Sequence, residues 1–356
     1  MFVSFLRSHL VAVFTLACVA SLALDGCSTT ITAPTPPAPA ATLLNGGSDG
    51  VLVPLHVERT DGGQSRLGLP IQIDGKPVYL MLDSGTQGVR VLSSVLPRAG
   101  YPGAGGRTSI ALANGAQVSG ALVTLPVGFV GGKPVDVTAQ AVDDVRCLPY
   151  ARGCVAIDGY TGEFGWAFSG MAGIGAELPG DACCTQPLRA LPGNVGQRYL
   201  VHANLARPWL LLSPSKTITS GFTMTPMTST TSGGKSTRQW PAGCVQIGDR
   251  MRFCAPVVFA TGGAAMIRVE TDQAPSWTPD DNEGKVLAQG NYNVALGVGS
   301  WAHRFDGAQV TIVKAKSGQN RIVVGLMALQ KIDILFDFAN GQLGLRAAQP
   351  VEALGG

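Results

Sequence analysis

A short polar turn that carries an acid is the first place in this sequence where chemistry could be done. Asp83, Ser84, Gly85 and Thr86 follow an apolar run at 79–82. A carboxylate in this position can take or give a proton as a general acid or base. It can equally accept backbone N–H groups and hold the turn, as Asp, Ser and Thr side chains do in many proteins. The sequence leaves both roles of Asp83 open, whereas Gly85 suits the backbone freedom of a tight turn.

A second turn of the same pattern lies in the other half of the chain. There an apolar run leads into Ala260, Thr261 and Gly262, and aligning the two turns sets Asp83 opposite Ala260. Each turn is followed downstream by an apolar pair and a glycine. These downstream segments are 172–175 in the first half and 323–325 in the second. Four elements in the same order indicate a duplicated unit.

The elements that must position these turns are short strands. Apolar runs rich in Val, Leu and Ile and bounded by Gly, Pro and Asn are typical of strands, and no long stretch has a clean helical period. The strands predicted in this way are 69–73, 78–82, 109–112, 118–125, 209–212, 257–259, 308–313, 322–324 and 332–338. Brief helices are predicted near 93–96 and 326–331. The body is therefore mostly β, with duplicated units at 51–216 and 217–349.

Composition and charge exclude several classes of protein. Only 14% of the 356 residues are charged, against a usual share of about 25%. Gly accounts for 47 residues, which is nearly twice its usual share of about 7%. The net charge is +3 without a dense Lys/Arg cluster, so nucleic acid is not an expected partner. Low charge and the lack of Gly-X-Y or heptad periods exclude a disordered tail, collagen and a coiled coil. A turn-rich globular chain remains, long enough for two domains or one large one.

The first residues of the chain predict export. An uncharged run at 10–24 follows Arg7 and His9. This run is shorter than the roughly 20 residues that span a bilayer as a helix. A positive start before a short apolar run is typical of a secretory signal peptide. We therefore predict a signal peptide at 1–26.

The end of this segment resembles the bacterial lipobox, in which an apolar residue and a small residue precede an acylated cysteine. Leu24, Gly26 and Cys27 match, and Asp25 departs from the small or uncharged residue usual there. The resemblance implies lipidation of Cys27, with a plain signal peptide as the alternative. Ser28, rather than Asp, follows, which by the same resemblance implies the outer membrane of a bacterial cell envelope. A triacylated cysteine is a firm membrane anchor.

A proline-rich stretch follows the cysteine. Residues 29–50 contain four prolines, many Thr and Ala, and one charged residue, Asp49. Such a segment favours extended polyproline conformations and cannot bury a core. We predict a tether at 27–50 that holds the body off the membrane, and a short tail at 350–356.

Six cysteines remain for the exported body, and their spacing indicates disulfides. Local spacing favours two pairs, Cys147 with Cys154 and Cys244 with Cys254. The adjacent Cys183 and Cys184 are left, and they either form a vicinal disulfide or bond elsewhere. The spacings and the three remaining histidines do not suit zinc, so neither a metal nor a cofactor is predicted.

The two turns and the C-terminal stretch together resemble the pepsin-like aspartic peptidases. Residues 80–86 look like the first catalytic strand and loop of that family, and 322–345 look like the stretch that closes its second lobe. Residues 109–122 resemble the hairpin flap over its cleft, and 158–175 occupy the place of its apolar-apolar-Gly strand. The resemblance implies a mostly β, two-lobed fold with a cleft between the lobes. The turn at Asp83 would form the first half of the site.

The sequence departs from this family in the second half of the site. Aspartic peptidases use two carboxylates about 3 Å apart that share one proton, one activating water and the other supporting the carbonyl oxygen. Ala260 can neither donate nor accept a proton, so with Thr261 and Gly262 it forms a degenerate second half. The hairpin offers Leu112 and Ala113 where the family has a Tyr that closes over substrate.

Three functions follow from these features, and the missing carboxylate favours the first. It is a catalytically impaired peptidase homologue whose cleft binds a peptide or protein segment. The second is an active endopeptidase in which another carboxylate partners Asp83. The candidates within the chain are Asp249, Asp280 and Asp281, although none of them points at the cleft centre in the family fold. Asp83 of a second copy is the remaining candidate. The third is a structural or assembly factor of the envelope that acts through its outer faces.

Overall fold

The structure is a computed structural model that describes most of the chain body. The described residues are 44–46, 50–59, 63–97, 100–112, 115–129, 132–148, 154, 168–177, 183–232, 235–263 and 265–349. The predictions for the signal peptide, for Cys27, for the tether other than 44–46 and Gly50, for Ala113, for 158–167 and for the tail at 350–356 lie outside these residues. Among the described ranges, no helix is both long enough and apolar enough to cross a bilayer.

Strands dominate both halves of the chain, as the apolar runs predict. Those of the first half are β1 (Leu44–Gly46), β2 (Gly50–Pro54), β3 (His56–Arg59), β4 (Ser65–Ile73), β5 (Lys76–Asp83), β6 (Gln87–Leu92), β7 (Gly103–Ala111), β8 (Ala116–Phe129), β9 (Val135–Cys147), β10 (Gly170–Ile174), β11 (Arg198–His202) and β12 (Trp209–Leu212). Those of the second half are β13 (Thr223–Pro226), β14 (Thr228–Ser232), β15 (Lys235–Gln239), β16 (Ala242–Ile247), β17 (Met251–Ala260), β18 (Ile267–Thr271), β19 (Val286–Val298), β20 (Trp301–Lys314), β21 (Arg321–Gly325), β22 (Ile332–Asp337) and β23 (Gln342–Ala347). The mostly β prediction is confirmed.

Helices are few and brief in the described part of the chain. A 3₁₀ turn spans Ser93–Val95, α1 spans Lys216–Thr219 and α2 spans Leu326–Leu329. The first and the last lie where the sequence predicts brief helices. The side chain of Ser215 caps α1 by accepting a hydrogen bond from the N–H of Ile218.

An eight-stranded sheet is built from first-half strands alone. Its order is β3-β4-β5-β10-β6-β9-β8-β7, and β4 also pairs with β8. Strands β7 and β8 form the hairpin that the sequence likens to a flap, and Ala111 lies opposite Gln117 near its tip. Leu112 packs at the edge of a small apolar cluster that includes Met81 and Met171.

A closed barrel is built from second-half strands alone. Its order is β16-β17-β21-β18-β20-β19. The barrel repeats the central arrangement of the first half. In each half, the strand that leads into the polar turn runs parallel to a central strand, and the strand that follows the turn runs antiparallel to that central strand. The pairs are β5–β10–β6 in the first half and β17–β21–β18 in the second.

A seven-stranded sheet joins the two halves. Its order is β1-β2-β12-β11-β22-β23-β13, so β11 of the first half hydrogen-bonds to β22 of the second. Tyr199 and Phe336 lie opposite each other across this seam and their rings stack 5.0 Å apart. One apolar core runs from Leu69 in the eight-stranded sheet through this seam to Val310 in the barrel.

Candidate functional site

The two polar turns predicted from the repeat lie against each other. Strand β5 ends at Asp83 and β17 ends at Ala260, and the parallel registers set Gly173 beside Asp83 and Gly325 beside Ala260. Because β10 separates β5 from β6, the first turn must cross the end of β10. A side chain at Gly173 would meet Thr86 and Gln87 of that turn, which explains the glycine in each downstream segment.

Two buried hydroxyls bind the turns together in a reciprocal pattern. The N–H of Ser84 donates to Thr261 Oγ1 at 2.9 Å, and the N–H of Thr261 donates to Ser84 Oγ at 3.1 Å. Ser84 Oγ in turn donates to the carbonyl of Phe259 at 2.6 Å, and Thr261 Oγ1 donates to that of Leu82 at 2.7 Å. Both side chains are fully buried. Each hydroxyl therefore donates once and accepts once, and the two turns are held as one unit.

The carboxylate of Asp83 lies at the junction of the turns. Its Oδ1 accepts hydrogen bonds from the N–H groups of Gly85 at 2.8 Å and Gly262 at 3.1 Å. The residue is 7% exposed. A Cβ at Gly262 would lie 2.8 Å from Asp83 Cγ, so the second turn can approach the acid only without a side chain there. Asp83 thus supports the junction, which is one of the two roles that the sequence leaves open, while its part in proton transfer stays a prediction.

Ala260 occupies the position across from this acid. A Cβ placed at Gly85 would lie 2.5 Å from Ala260 Cβ, which mirrors the approach of Gly262 to Asp83. The two turns therefore approach each other in equivalent ways, but an acid stands at the end of only one of the two strands. Ala260 is 7% exposed, and its methyl group cannot transfer a proton.

The other predicted site residue, Thr86, contacts the neighbouring strand β10. Its hydroxyl contacts Met171 Sδ at 3.8 Å. Its backbone carbonyl accepts the N–H of Gly175 at 2.7 Å, which fastens the exit of the turn to the strand beneath it. Thr86 therefore positions the turn in this structure.

The three acids considered as substitutes for a second carboxylate lie elsewhere. Asp249 is exposed in the turn between β16 and β17, and an extended strand of this length places it about 30 Å from Ala260. Asp280 is exposed and binds Lys314, which lowers the pKa of the carboxyl below its usual range through the hydrogen bond and the lysine charge. Asp281 is exposed beside it. All three are exposed, whereas Asp83 and Ala260 are buried.

A buried arginine was not among the predicted site residues. Arg90 is fully buried on β6 and lies beside Met171 on β10 and Gln140 on β9. The second half has an arginine at the same register, because Arg268 pairs with Val323 of the central strand as Arg90 pairs with Met171. Arg268 Nε donates to Glu270 Oε1 at 2.8 Å. The signal was present in the sequence as an arginine flanked by β-branched residues in both copies. A search for apolar periodicity does not single out a charged residue within a strand.

The cysteines of the body pair locally. Cys147 joins Cys154 and Cys244 joins Cys254, which are the two pairings that spacing favours. Cys183 joins Cys184, so the alternative that spacing left open is decided for a vicinal disulfide. No cluster of three or more His, Cys, Asp or Glu side chains suited to a metal occurs among the described residues.

Two β lobes joined by a shared sheet, with a turn from each lobe meeting at the junction, define a pepsin-like acid protease fold. Among solved structures, the chain is similar to the aspartic proteinase from Irpex lacteus, with a TM-score of 0.52 and 12% identity over 86% of this chain and 99% of that chain. At this identity the likeness concerns the fold alone. No protein-family model and no curated protein sequence matches the chain.

Proposed function

We propose that this protein is a lipid-anchored protein of the bacterial cell envelope whose cleft binds an extended peptide or protein segment without hydrolysing it. The observation that carries the proposal is the contrast at the junction. The reciprocal hydroxyl bonds and the approach of both glycine turns are intact, while Ala260 stands where a second carboxylate would have to be. A frame kept without its second acid suits binding better than cleavage.

The chemistry supports this choice. Peptide hydrolysis at such a site needs one group to take a proton from water and another to support the developing oxyanion. Each proton-transfer role contributes about 10²- to 10⁴-fold to the rate. Asp83 can fill one role, and Ala260 can fill neither. Holding an extended segment depends on backbone hydrogen bonds and side-chain pockets, which the second carboxylate does not supply.

Peptide binding is tested with the full chain in detergent and a set of fluorescent peptides from denatured casein. We expect bound peptides to slow amide hydrogen exchange at 83–86 and 260–263 beyond the protection that the bonds of the junction already give, with anisotropy reporting the affinity. The isosteric Asp83→Asn variant should keep most of the binding, since the proposed role needs no proton transfer. Protection confined to outer faces of the lobes would favour the assembly-factor alternative and contradict the proposal.

The anchor is tested separately at Cys27. We expect the native chain to incorporate labelled palmitate and to fractionate with outer membranes, and the Cys27→Ser variant to lose both. Cys147 is a matched control, because Cys147→Ser removes a cysteine of the body and should leave labelling unchanged. Labelling that persists in Cys27→Ser would contradict the lipid anchor.

A further inference from the structure

A vicinal disulfide packs directly against the strand that leaves the candidate site. Cys183 and Cys184 are both partly exposed. Gly88, the second residue of β6, has φ +93° and lies so close to them that a side chain there would meet Cys184 and the carbonyl of Cys183. The disulfide therefore packs against β6 at Gly88, two residues beyond Thr86, the last residue of the polar turn.

The segment that carries this disulfide is tied to the next strand of the same sheet. The N–H of Thr185 donates to the carbonyl of Thr138 at 2.8 Å, and the N–H of Thr138 donates to Thr185 Oγ1 at 3.1 Å. Thr138 belongs to β9, which pairs with β6. The cystine and the adjacent Thr185 thus hold β6 and β9 at one point.

The backbone at this point has an uncommon conformation that the cross-link restrains. Cys184 has φ +78°, a left-handed conformation that is uncommon for a residue with a side chain. The bond to Cys183 fixes that conformation by joining adjacent side chains. Once the bond is opened, Cys184 is free to return to an ordinary conformation, and its contact with Gly88 changes with it.

A cavity gives a thiol access to the disulfide. It measures about 440 Å³, and Cys184 forms part of its wall. Gln87, Thr185 and Thr237 make the lining polar, and Arg189 and Glu177 contribute one charge of each sign. The guanidinium of Arg189 gives an incoming thiolate a positive neighbour, and Glu177 opposes this effect.

The geometry points to Cys183–Cys184 as a thiol–disulfide exchange site whose redox state controls the order of β6 and of the turn at Asp83. A thiolate of a dithiol attacks one sulfur of the pair, forming a mixed disulfide and releasing the other sulfur as a thiolate that takes up a proton. The second thiolate of the reagent then breaks the mixed disulfide. Two electrons pass to the protein, which gains two thiols, and the dithiol becomes a disulfide.

The test uses the full chain in detergent with graded dithiothreitol, followed by alkylation, peptide mapping and hydrogen exchange. We expect labelling at Cys183 and Cys184 while the protein stays folded, with amide exchange across β6 rising about tenfold. Strand β18 is the matched internal control, because it occupies the same place in the second half without a cystine behind it. Its exchange should not change.

Two variants keep the test independent of the reagent. Cys183→Ser/Cys184→Ser should show the fast exchange of β6 without reductant. Cys244→Ser/Cys254→Ser should not, because that bond spans a pair already held by the β16–β17 ladder. Labelling only after global unfolding, or labelling with unchanged exchange in β6, would overturn the inference.

Only the effect on peptide binding rests on the proposed function. We expect casein peptides to bind more weakly after reduction. If no peptide binds in either state while β6 still responds to reduction, the proposed function fails and the exchange site stands.

Discussion

At the scale of residues, the two turns of the candidate site are held together symmetrically, but only one of them carries an acid. Ser84 and Thr261 exchange equivalent hydrogen bonds, and each turn approaches the other through a glycine. The asymmetry lies in Asp83 and Ala260. The crossed bonds of Ser84 and Thr261 use only hydroxyls and backbone groups, so they form with Ala260 in place of a second acid. Asp83 adds one further bond between the turns, from the N–H of Gly262.

The crossed hydroxyls should act as one unit in stability. Ser84→Ala and Thr261→Val should each cost about 1–3 kcal/mol of unfolding free energy, because each leaves buried backbone groups without partners. A double-mutant cycle by urea unfolding should show an interaction energy of at least about 0.5 kcal/mol. Strictly additive costs would contradict the reciprocal pattern. Thr230→Val, in the exposed β14–β15 hairpin, is the control and should have little effect.

Glu270 should make part of the stability depend on pH. Burial raises the pKa of this carboxyl, but the charges and hydrogen bonds of Arg321 and Arg268 outweigh it and hold the pKa below the ordinary 4.5. A depressed folded pKa means that the stabilisation is present above about 4.5 and is lost as the pH falls through the folded value. Glu270→Gln should cost about 3 kcal/mol at pH 7.

The measurement is urea unfolding of the wild type and Glu270→Gln at several pH values between 7 and 3. The difference between them should shrink as the pH falls below about 4.5. Glu283→Gln, which removes an exposed carboxylate on the same lobe, should show no such trend. A difference that stays constant down to pH 3 would refute the role of the two arginines.

At the scale of elements, the apolar runs predicted where the strands lie but not the hydrogen bonds that connect the two turns. All nine predicted runs fall in or overlap strands, because a buried strand must be apolar on at least one face. Long strands such as β19 were missed, since its partly exposed residues alternate with buried ones over a polar sequence. The pairing of Ala260 with Asp83 followed from the repeat. The crossed hydroxyl bonds did not, because a linear pattern carries no distance between turns.

Three elements of the shared sheet are linked by a buried charge network. Asp333 on β22 is fully buried and accepts from Arg346 Nε on β23 at 2.9 Å. His202 Nδ1 on β11 lies 2.7 Å from its other oxygen. Asp333→Asn should cost about 3–5 kcal/mol, because it leaves the guanidinium of Arg346 without its buried counter-charge. Chemical unfolding of the full chain measures this.

An exposed pair in the same chain provides the comparison. Arg107 and Asp143 form two hydrogen bonds of 2.6 Å, yet both are exposed. Asp143→Asn should therefore cost less than about 1 kcal/mol, since water screens an exposed pair. Equal costs for the two variants would show that burial does not decide the value of these bonds.

At the scale of the whole molecule, the two halves share a sheet and a junction. The seam between β11 and β22 and the bonds between Ser84 and Thr261 both run across the predicted boundary at 216 and 217. Each half alone would leave a strand edge and buried polar groups exposed. We expect neither 51–216 nor 217–349 to unfold cooperatively when expressed alone, as judged by circular dichroism in urea. Cooperative unfolding of either half would contradict this.

The central proposal is that Ala260, standing in place of a second carboxylate, prevents this protein from cleaving peptides. The most direct measurement compares cleavage of denatured casein by the wild type, by Ala260→Asp, and by Ala260→Asp with Asp83→Ala, across pH 3 to 7. We predict no cleavage by the wild type, acid-dependent cleavage by Ala260→Asp, and none by the double variant. Cleavage by the wild type that disappears in Asp83→Ala would contradict the account.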